Sequence, residues 1–224
     1  MADATRAASL DDATLAEIRL ALAPDIAMSA VFDGWSEAAL LAAAEGVGVK
    51  PALARLAYKG GAMDMIDGWV DWVDTMMAAE FADGRLDAMP VRERIRELVQ
   101  FRLDAIAGME EALQRAMAVQ AMPQNVAAAI KQGWSSADRM WRLAGDAATD
   151  YNHYTKRAIL VSIYGATLAI FAGDESEGKA DTRAFLDRRI ENVMQFEKAK
   201  ARLLADRETF DVARFLGRLR YPQR

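Results

Sequence analysis

The residues with the most chemistry to offer stand close together: Tyr151, His153 and Tyr154, followed by Lys156 and Arg157. An imidazole beside two phenols could act as an acid or base, because histidine titrates near neutral pH without help. His153 is, however, the single histidine of the chain, and there is no cysteine. Sites that need two imidazoles, a thiolate ligand or a thiol nucleophile are therefore excluded, and disulfides with them. Metal-dependent catalysis in helical bundles commonly uses Glu-x-x-His pairs, and no Glu-x-x-His occurs here. Glu110 and Glu111 are adjacent, so a helix would send them to different parts of its surface. A glycine-rich phosphate loop, a Gly-x-Ser-x-Gly elbow and a credible Ser/His/Asp set are all missing. For His153 an interface or capping role is the stronger reading, and the expected protein is not an enzyme.

The bulk composition narrows the remaining classes. The 224 residues fit one domain, or one domain carrying a small subdomain. With 53% apolar and 27% charged residues, the chain has the composition of a globular protein with ample core. Alanine, leucine, methionine, glutamate and arginine dominate, and β-branched runs are scarce outside Ile159 to Ile163. Both features favour an all-helical fold. A net charge of −5 argues against a general nucleic-acid binder. The opening MADATRAASLDD has neither the pattern of a signal peptide nor that of a mitochondrial transit peptide, so a cytosolic, bacterial chain is expected.

The aromatic and basic cluster belongs to a longer stretch, Met140 to Phe171, around which the chain is organised. From Ala158 to Phe171 runs the most apolar segment of the protein. At about 14 residues it is short of the ~20 that cross a bilayer, which predicts a helix buried in a protein core. Gly145-Asp146 suits a helix C-terminus, and Thr149 or Asp150 suits the N-cap of the next helix. Ahead of it, Pro123 opens a helix with Val126, Ile130, Trp134, Ala137 and Trp141 at steps of four, four, three and four. Asp138, Arg139 and Met140 flank Trp141 and need not be buried.

Upstream, Asp11 or Asp12 opens a first helix that Pro24 ends or kinks. Ser36 caps a second over Ala38 to Glu45, broken by Gly46 and Gly48, and Pro51 begins a third that ends near Tyr58. The outline is that of a helix-turn-helix. A recognition helix needs several basic or amide groups, and this one offers only Lys50, Arg55 and Lys59. Residues 1–60 hold 5 bases against 8 acids, a net of −3, so a scaffold is the stronger reading.

The helix from Met63 to about Phe81 carries two apolar stripes, Met65/Trp69/Trp72/Met76 and Ile66/Val70/Val73/Met77. That is wider than the single stripe of a surface helix. Plain core accounts for most of it, and methionine also suits an adaptable apolar pocket. In VRERIRELVQFRLDAI, after Pro90, Arg92, Arg94, Arg96 and Arg102 alternate with Glu93 and Glu97 as a solvated, salt-bridged face. Gly108 precedes a short helix containing Leu113, Met117 and Val119. Asp181 or Thr182 opens a long helix whose core positions include Leu186, Ile190, Val193 and Met194. The last segment sets Phe215, Leu216 and Leu219 beside Arg214, Arg218 and Arg220. An apolar face flanked by arginines is suited either to an anionic membrane or to docking on its own domain.

The run MWRLAGDAATDYNHYTKRAIL resembles the signature of the ubiquinone-biosynthesis accessory family known as the ninth Coq protein. That signature reads Met-Trp-x-x-Ala-Gly-Asp-x-(Ser)-Thr-Asp-x-Asn-Trp-Tyr-Thr-(Lys/Arg)-Arg. His153 stands where many members have tryptophan, and Ala148 replaces a frequent serine. GWSEAALLAAAEGVGV and FLDRRIENV are also similar, so the resemblance spans roughly Phe32 to Lys200. It implies an all-α, TetR-like helical bundle: an N-terminal helix-turn-helix subdomain plus a larger helical ligand-binding domain, often dimeric. It further implies a non-enzymatic protein that binds lipids or isoprenoid quinone intermediates and presents them to a di-iron or flavin hydroxylase. The family's partner-binding patch falls on Asp138, Met140, Trp141, Asn152, Tyr154 and Arg157.

The expected organisation is therefore a three-helix subdomain over 1–60, a lipid-binding domain over 61–205 and a basic amphipathic helix over 206–224. No cofactor is expected beyond a bound lipid or isoprenoid quinone. No motif fixes the pocket; the two broadest apolar surfaces suggest Trp69, Trp72, Val73, Met76 and Met77 with Ile163, Tyr164, Thr167 and Leu168. The expected partners are that ligand, the hydroxylase, an anionic membrane surface and a second copy of the chain, with nucleic acid not expected. The expected location is cytoplasmic, peripheral on the inner face of the cytoplasmic membrane. The alternative is a TetR-like ligand-responsive transcription regulator, which would show salt-sensitive binding to duplex DNA.

Overall fold

The computed structural model describes residues 10, 12–147 and 151–209, with side chains at all of these except 151, 152, 194 and 196–209. The described residues hold nine α-helices and no strand. The first, α1 (Leu15–Asp33), starts at Thr14 rather than Asp11 or Asp12. Thr14 and Glu17 form a reciprocal capping box, which satisfies two of the helix's orphan donors. The helix runs through Pro24 to Asp33 instead of ending there. One missing backbone donor is outweighed by complete burial of Leu22, Ala23, Ile26, Ala27 and Ala30.

Ser36 caps α2 (Glu37–Val47), which passes through Gly46 and stops at Gly48. Gly48 takes the left-handed conformation, with φ 80°, that a helix C-terminus favours. The short α3 (Pro51–Ala57) follows. These helices are pinned to the rest of the molecule rather than loosely appended. The Tyr58 hydroxyl donates to the Arg19 carbonyl at 2.6 Å, and Arg19 donates to Asp64 at 2.6 Å. Gly68 admits the phenol; a Cβ there would lie 2.6 Å from the Tyr58 oxygen. The Trp35 indole donates to the Ala112 carbonyl at 2.9 Å and packs 5.3 Å from the Trp69 ring.

The larger layer comprises α4 (Ala62–Glu80), α5 (Val91–Ala105), α6 (Glu110–Gln120), α7 (Val126–Leu143), α8 (Tyr151–Phe171) and α9 (Ala180–Thr209). The broad face of α4 does enter the core through Met65, Ile66, Trp69, Val73 and Met77. Arg92 and Arg96 keep the solvated, salt-bridged face expected of α5, paired with Glu93 and Asp187, whereas Arg94 and Arg102 depart from it. Arg102 is 1% exposed and ion-paired with the equally buried Asp74 of α4. Arg94 donates to the carbonyls of Asp87, Met89 and Ala144. A guanidinium has five donors in a fixed fork, so it can tie several chain segments at once.

The apolar helix α8 is not buried all round. Leu160, Ile163, Thr167 and Phe171 face inward, while Ala158, Ser162, Ala166 and Ala169 are exposed. Apart from Tyr154 and Ile170, its exposed positions carry small residues, which leave little surface to cover. The turn into α9 is held by Asp174, whose carboxylate accepts from the backbone and hydroxyls of Ser176 and Thr182. Those bonds hold its pKa well below the usual carboxylate range. Among the described residues no helix is long and apolar enough to cross a membrane.

Candidate functional site

A cavity of about 410 Å³ lies between α4, α6, α7 and α8, within the ~300–1,000 Å³ typical of small-molecule sites. Trp69 and Val73 of α4 form one wall, and Leu113 and Met117 of α6 the next. Val126, Ile130 and Gly133 of α7 face Val161, Tyr164, Gly165 and Leu168 of α8. The space exists for a local reason. A Cβ on Gly133 would meet the Val161 side chain at 3.5 Å, an ordinary packing contact. A Cβ on Gly165 would meet nothing within 4 Å. Ile130 and Val126 are 61% and 40% exposed, which places the open side of the cavity at the start of α7.

A polar seam runs along this otherwise apolar wall. Arg102 pairs with Asp74 and donates to the Ser136 hydroxyl at 3.2 Å, and its guanidinium lies 5.0 Å from the Tyr164 ring centre. Arg139 reaches the other Asp74 oxygen at 3.0 Å. Nearer the mouth, Gln120 donates to Gln132, and Gln132 donates to Asp67. Burial pushes the Asp67 carboxyl above its ordinary value, and the Gln132 hydrogen bond opposes that. Two N–H groups of the wall, Trp69 Nε1 and Arg102 Nε, are buried and have no hydrogen-bond partner in the protein.

At the opposite end of the same helix pair is a charged collar. Arg157 is 1% exposed and donates to Asp138 at 2.6 Å, to Asp146 at 2.9 Å and to the His153 carbonyl at 3.1 Å. Lys156 donates to Asp146 at 2.6 Å and lies over the Trp141 ring, whose Nε1 donates back to the Lys156 carbonyl at 3.1 Å. Burial would raise the Asp138 and Asp146 carboxyls, yet the cations beside them win. Arg157 and Arg142 hold Asp138 below the usual range, as Lys156 and Arg157 hold Asp146. Tyr154 projects from the collar, 62% exposed, with its ring 5.1 Å from His153 and 6.2 Å from Trp134.

Of the residues suggested for a pocket, Trp69, Val73, Tyr164 and Leu168 line the cavity. Met77 and Ile163 are core, Thr167 is buried with its hydroxyl bonded to the Ile163 carbonyl, Trp72 is half-buried and Met76 is exposed. Within the expected partner patch, Tyr154 is open to solvent, Asp138 and Trp141 are half-buried, and Met140 and Arg157 are buried. The burial of Met140 departs from the expectation for it. Ser136, Ala137 and Met140 are the inward positions of α7, whereas its stripe from Val126 to Ile130 turns to the cavity mouth. Asn152 lies in the first turn of α8. Thr149, Asp150 and the expected membrane residues Arg214, Phe215, Leu216, Arg218, Leu219 and Arg220 lie outside the described residues. The sequence reading missed Arg102, Gly165 and the α6 wall.

Comparison with known proteins places this geometry. Residues 126–197, which hold α7, the collar and α8, match the COQ9 family model. The ubiquinone biosynthesis protein COQ9 of Homo sapiens is 29% identical over 168 residues, covering 72% of this chain and 52% of the human protein. The probable ubiquinone biosynthesis protein coq9 of Dictyostelium discoideum is 22% identical over 173 residues, covering 75% and 56%. This chain thus spans about half the length of the curated relatives it matches. A crystal structure of a TetR transcriptional regulator from Nitrosomonas europaea superposes with a TM-score of 0.63 at 24% identity, covering 78% of this chain and 97% of the regulator. The fold is therefore an all-α, TetR-like one, and the resemblance read from the signature stretch holds: over residues 126–197 this chain matches the COQ9 family model.

Proposed function

We propose that this protein is a non-enzymatic lipid-binding accessory factor of ubiquinone biosynthesis. It holds isoprenoid quinone intermediates or related lipids in the cavity between α4, α6, α7 and α8, and presents them to a di-iron or flavin hydroxylase at the membrane. The observation that carries this reading is the cavity itself: predominantly apolar, open on one side, and walled on the α7 and α8 sides by the stretch that matches COQ9. Each CH₂ moved from water into such a lining contributes about 0.8 kcal/mol, so a few isoprene units suffice for useful affinity.

Exposed Tyr154, with Asn152 close by in the first turn of α8, gives a partner enzyme an aromatic contact beside a fixed charge network. The same fold serves transcription regulators, but α3 is a poor reader of DNA. It has seven residues, and Arg55 is ion-paired with Glu37 at 2.6 Å. The test is native mass spectrometry with lipid extraction on protein purified without detergent. Co-purified prenyl lipids are the expected result. Protein that arrives empty and stays empty when offered a prenylated quinone would remove the carrier role.

A further inference from the structure

The cavity wall is uneven in its hydrogen bonding. Its amides are satisfied by each other and by Asp67, and the Ser136 hydroxyl by Arg102 and Asp74. Trp69 Nε1 and Arg102 Nε alone among the described cavity-wall side chains are buried donors without a partner, on side chains 3% and 1% exposed. Both are donors only, so what they lack is an acceptor. A buried N–H left without one is penalised, and a ligand oxygen supplied there recovers the loss.

The charge of Arg102 is already met by Asp74. An incoming anion would have to give up its hydration with little return, whereas a neutral carbonyl or ether oxygen would not. Val126 and Ile130, apolar and exposed, mark the open side of the cavity. Building on the lipid-binding reading above, we infer that the ligand is a neutral amphiphile bound head-first. Its oxygen-bearing ring accepts from the buried Trp69 Nε1 and Arg102 Nε, and its hydrocarbon tail lies along the apolar lining toward Ile130 and Val126.

The experiment is ¹⁵N-resolved NMR of the indole and arginine Nε–H groups. Three probes are titrated: a benzoquinone with one prenyl unit, the corresponding prenylbenzene lacking oxygens, and a medium-chain carboxylate. The Trp69 signal is assigned from Trp69→Phe, and Arg102 from Arg102→Lys. Saturable downfield shifts of both N–H signals with the quinone, absent with prenylbenzene, are expected. Trp69→Phe, which keeps a ring and loses the donor, should weaken quinone binding by about tenfold and leave prenylbenzene unchanged.

Equal affinity for quinone and prenylbenzene, with neither N–H shifted, would overturn the head-first inference and leave lipid binding standing. Preference for the carboxylate would overturn the neutral class. Failure of all three probes to bind would overturn the inference and the lipid-binding reading together.

Discussion

Helices α7 and α8 lie side by side and build two opposite environments from one contact. Where the end of α7 meets the start of α8, charge is packed densely and fully paired: Arg157 with Asp138 and Asp146, Lys156 with Asp146. Where the start of α7 meets the end of α8, Gly165 leaves room, and the lining is apolar. The collar clamps one end of the helix pair, and the cavity lies toward the other. The comparison also separates roles inside one sequence motif. Arg157 and Met140 are inward-facing and structural, while Tyr154 is a surface group available to a partner.

The largest effect should come from cutting the clamp. Arg157→Ala leaves two carboxylates around a buried gap and should cost about 3–5 kcal/mol of stability, read by chemical denaturation. Asp74→Ala, which strands buried Arg102 behind the cavity wall, should cost a similar amount. If Arg157→Ala costs less than about 1 kcal/mol, the collar is not the clamp described here.

Acid should act on the same bonds. The folded-state pKa values of Asp138 and Asp146 lie below their ordinary values. Their contribution to stability is therefore complete above about pH 4 and is lost as pH falls through the lowered folded values. Asp138→Asn combined with Asp146→Asn should reduce stability near neutral pH and flatten the acid limb of the unfolding curve. An unchanged acid limb would contradict the pairing.

Smaller effects distinguish structural from docking residues. Trp141→Ala loses both packing and the bond to the Lys156 carbonyl, so a stability loss of about 1–3 kcal/mol is expected. Tyr154→Ala should change stability by no more than about 0.5 kcal/mol. In a pull-down or calorimetric titration with the proposed partner hydroxylase, Tyr154→Ala should still weaken binding severalfold. Equal loss of stability in the two variants would erase the distinction between collar and surface.

Much of this was legible in advance. The helical class followed from composition, helix starts from caps such as Ser36, and the signature stretch pointed to the fold and to the COQ9 resemblance. What escaped was set by tertiary contacts. Arg102 lies in a run of alternating charges that reads as surface, and only the carboxylate of Asp74, 28 positions earlier, explains its burial. Pro24 looks like a helix end until the alanines around it are seen packed on α2, α4 and α6. Met76 and Met77 are neighbours in one apolar face, yet one is 42% exposed and the other fully buried. Gly165 gave no sign, because the value of a missing side chain depends on what stands opposite it.

That glycine also offers the most direct test of the central claim, that the space between α7 and α8 is where the ligand sits. Gly165→Leu puts a side chain into open volume and replaces a poor helix former, so the melting temperature should hold or rise. Titration with a prenylated quinone should then show affinity reduced by about tenfold or more, against wild-type affinity for Tyr154→Ala. Wild-type affinity in Gly165→Leu would place the ligand elsewhere and contradict the account.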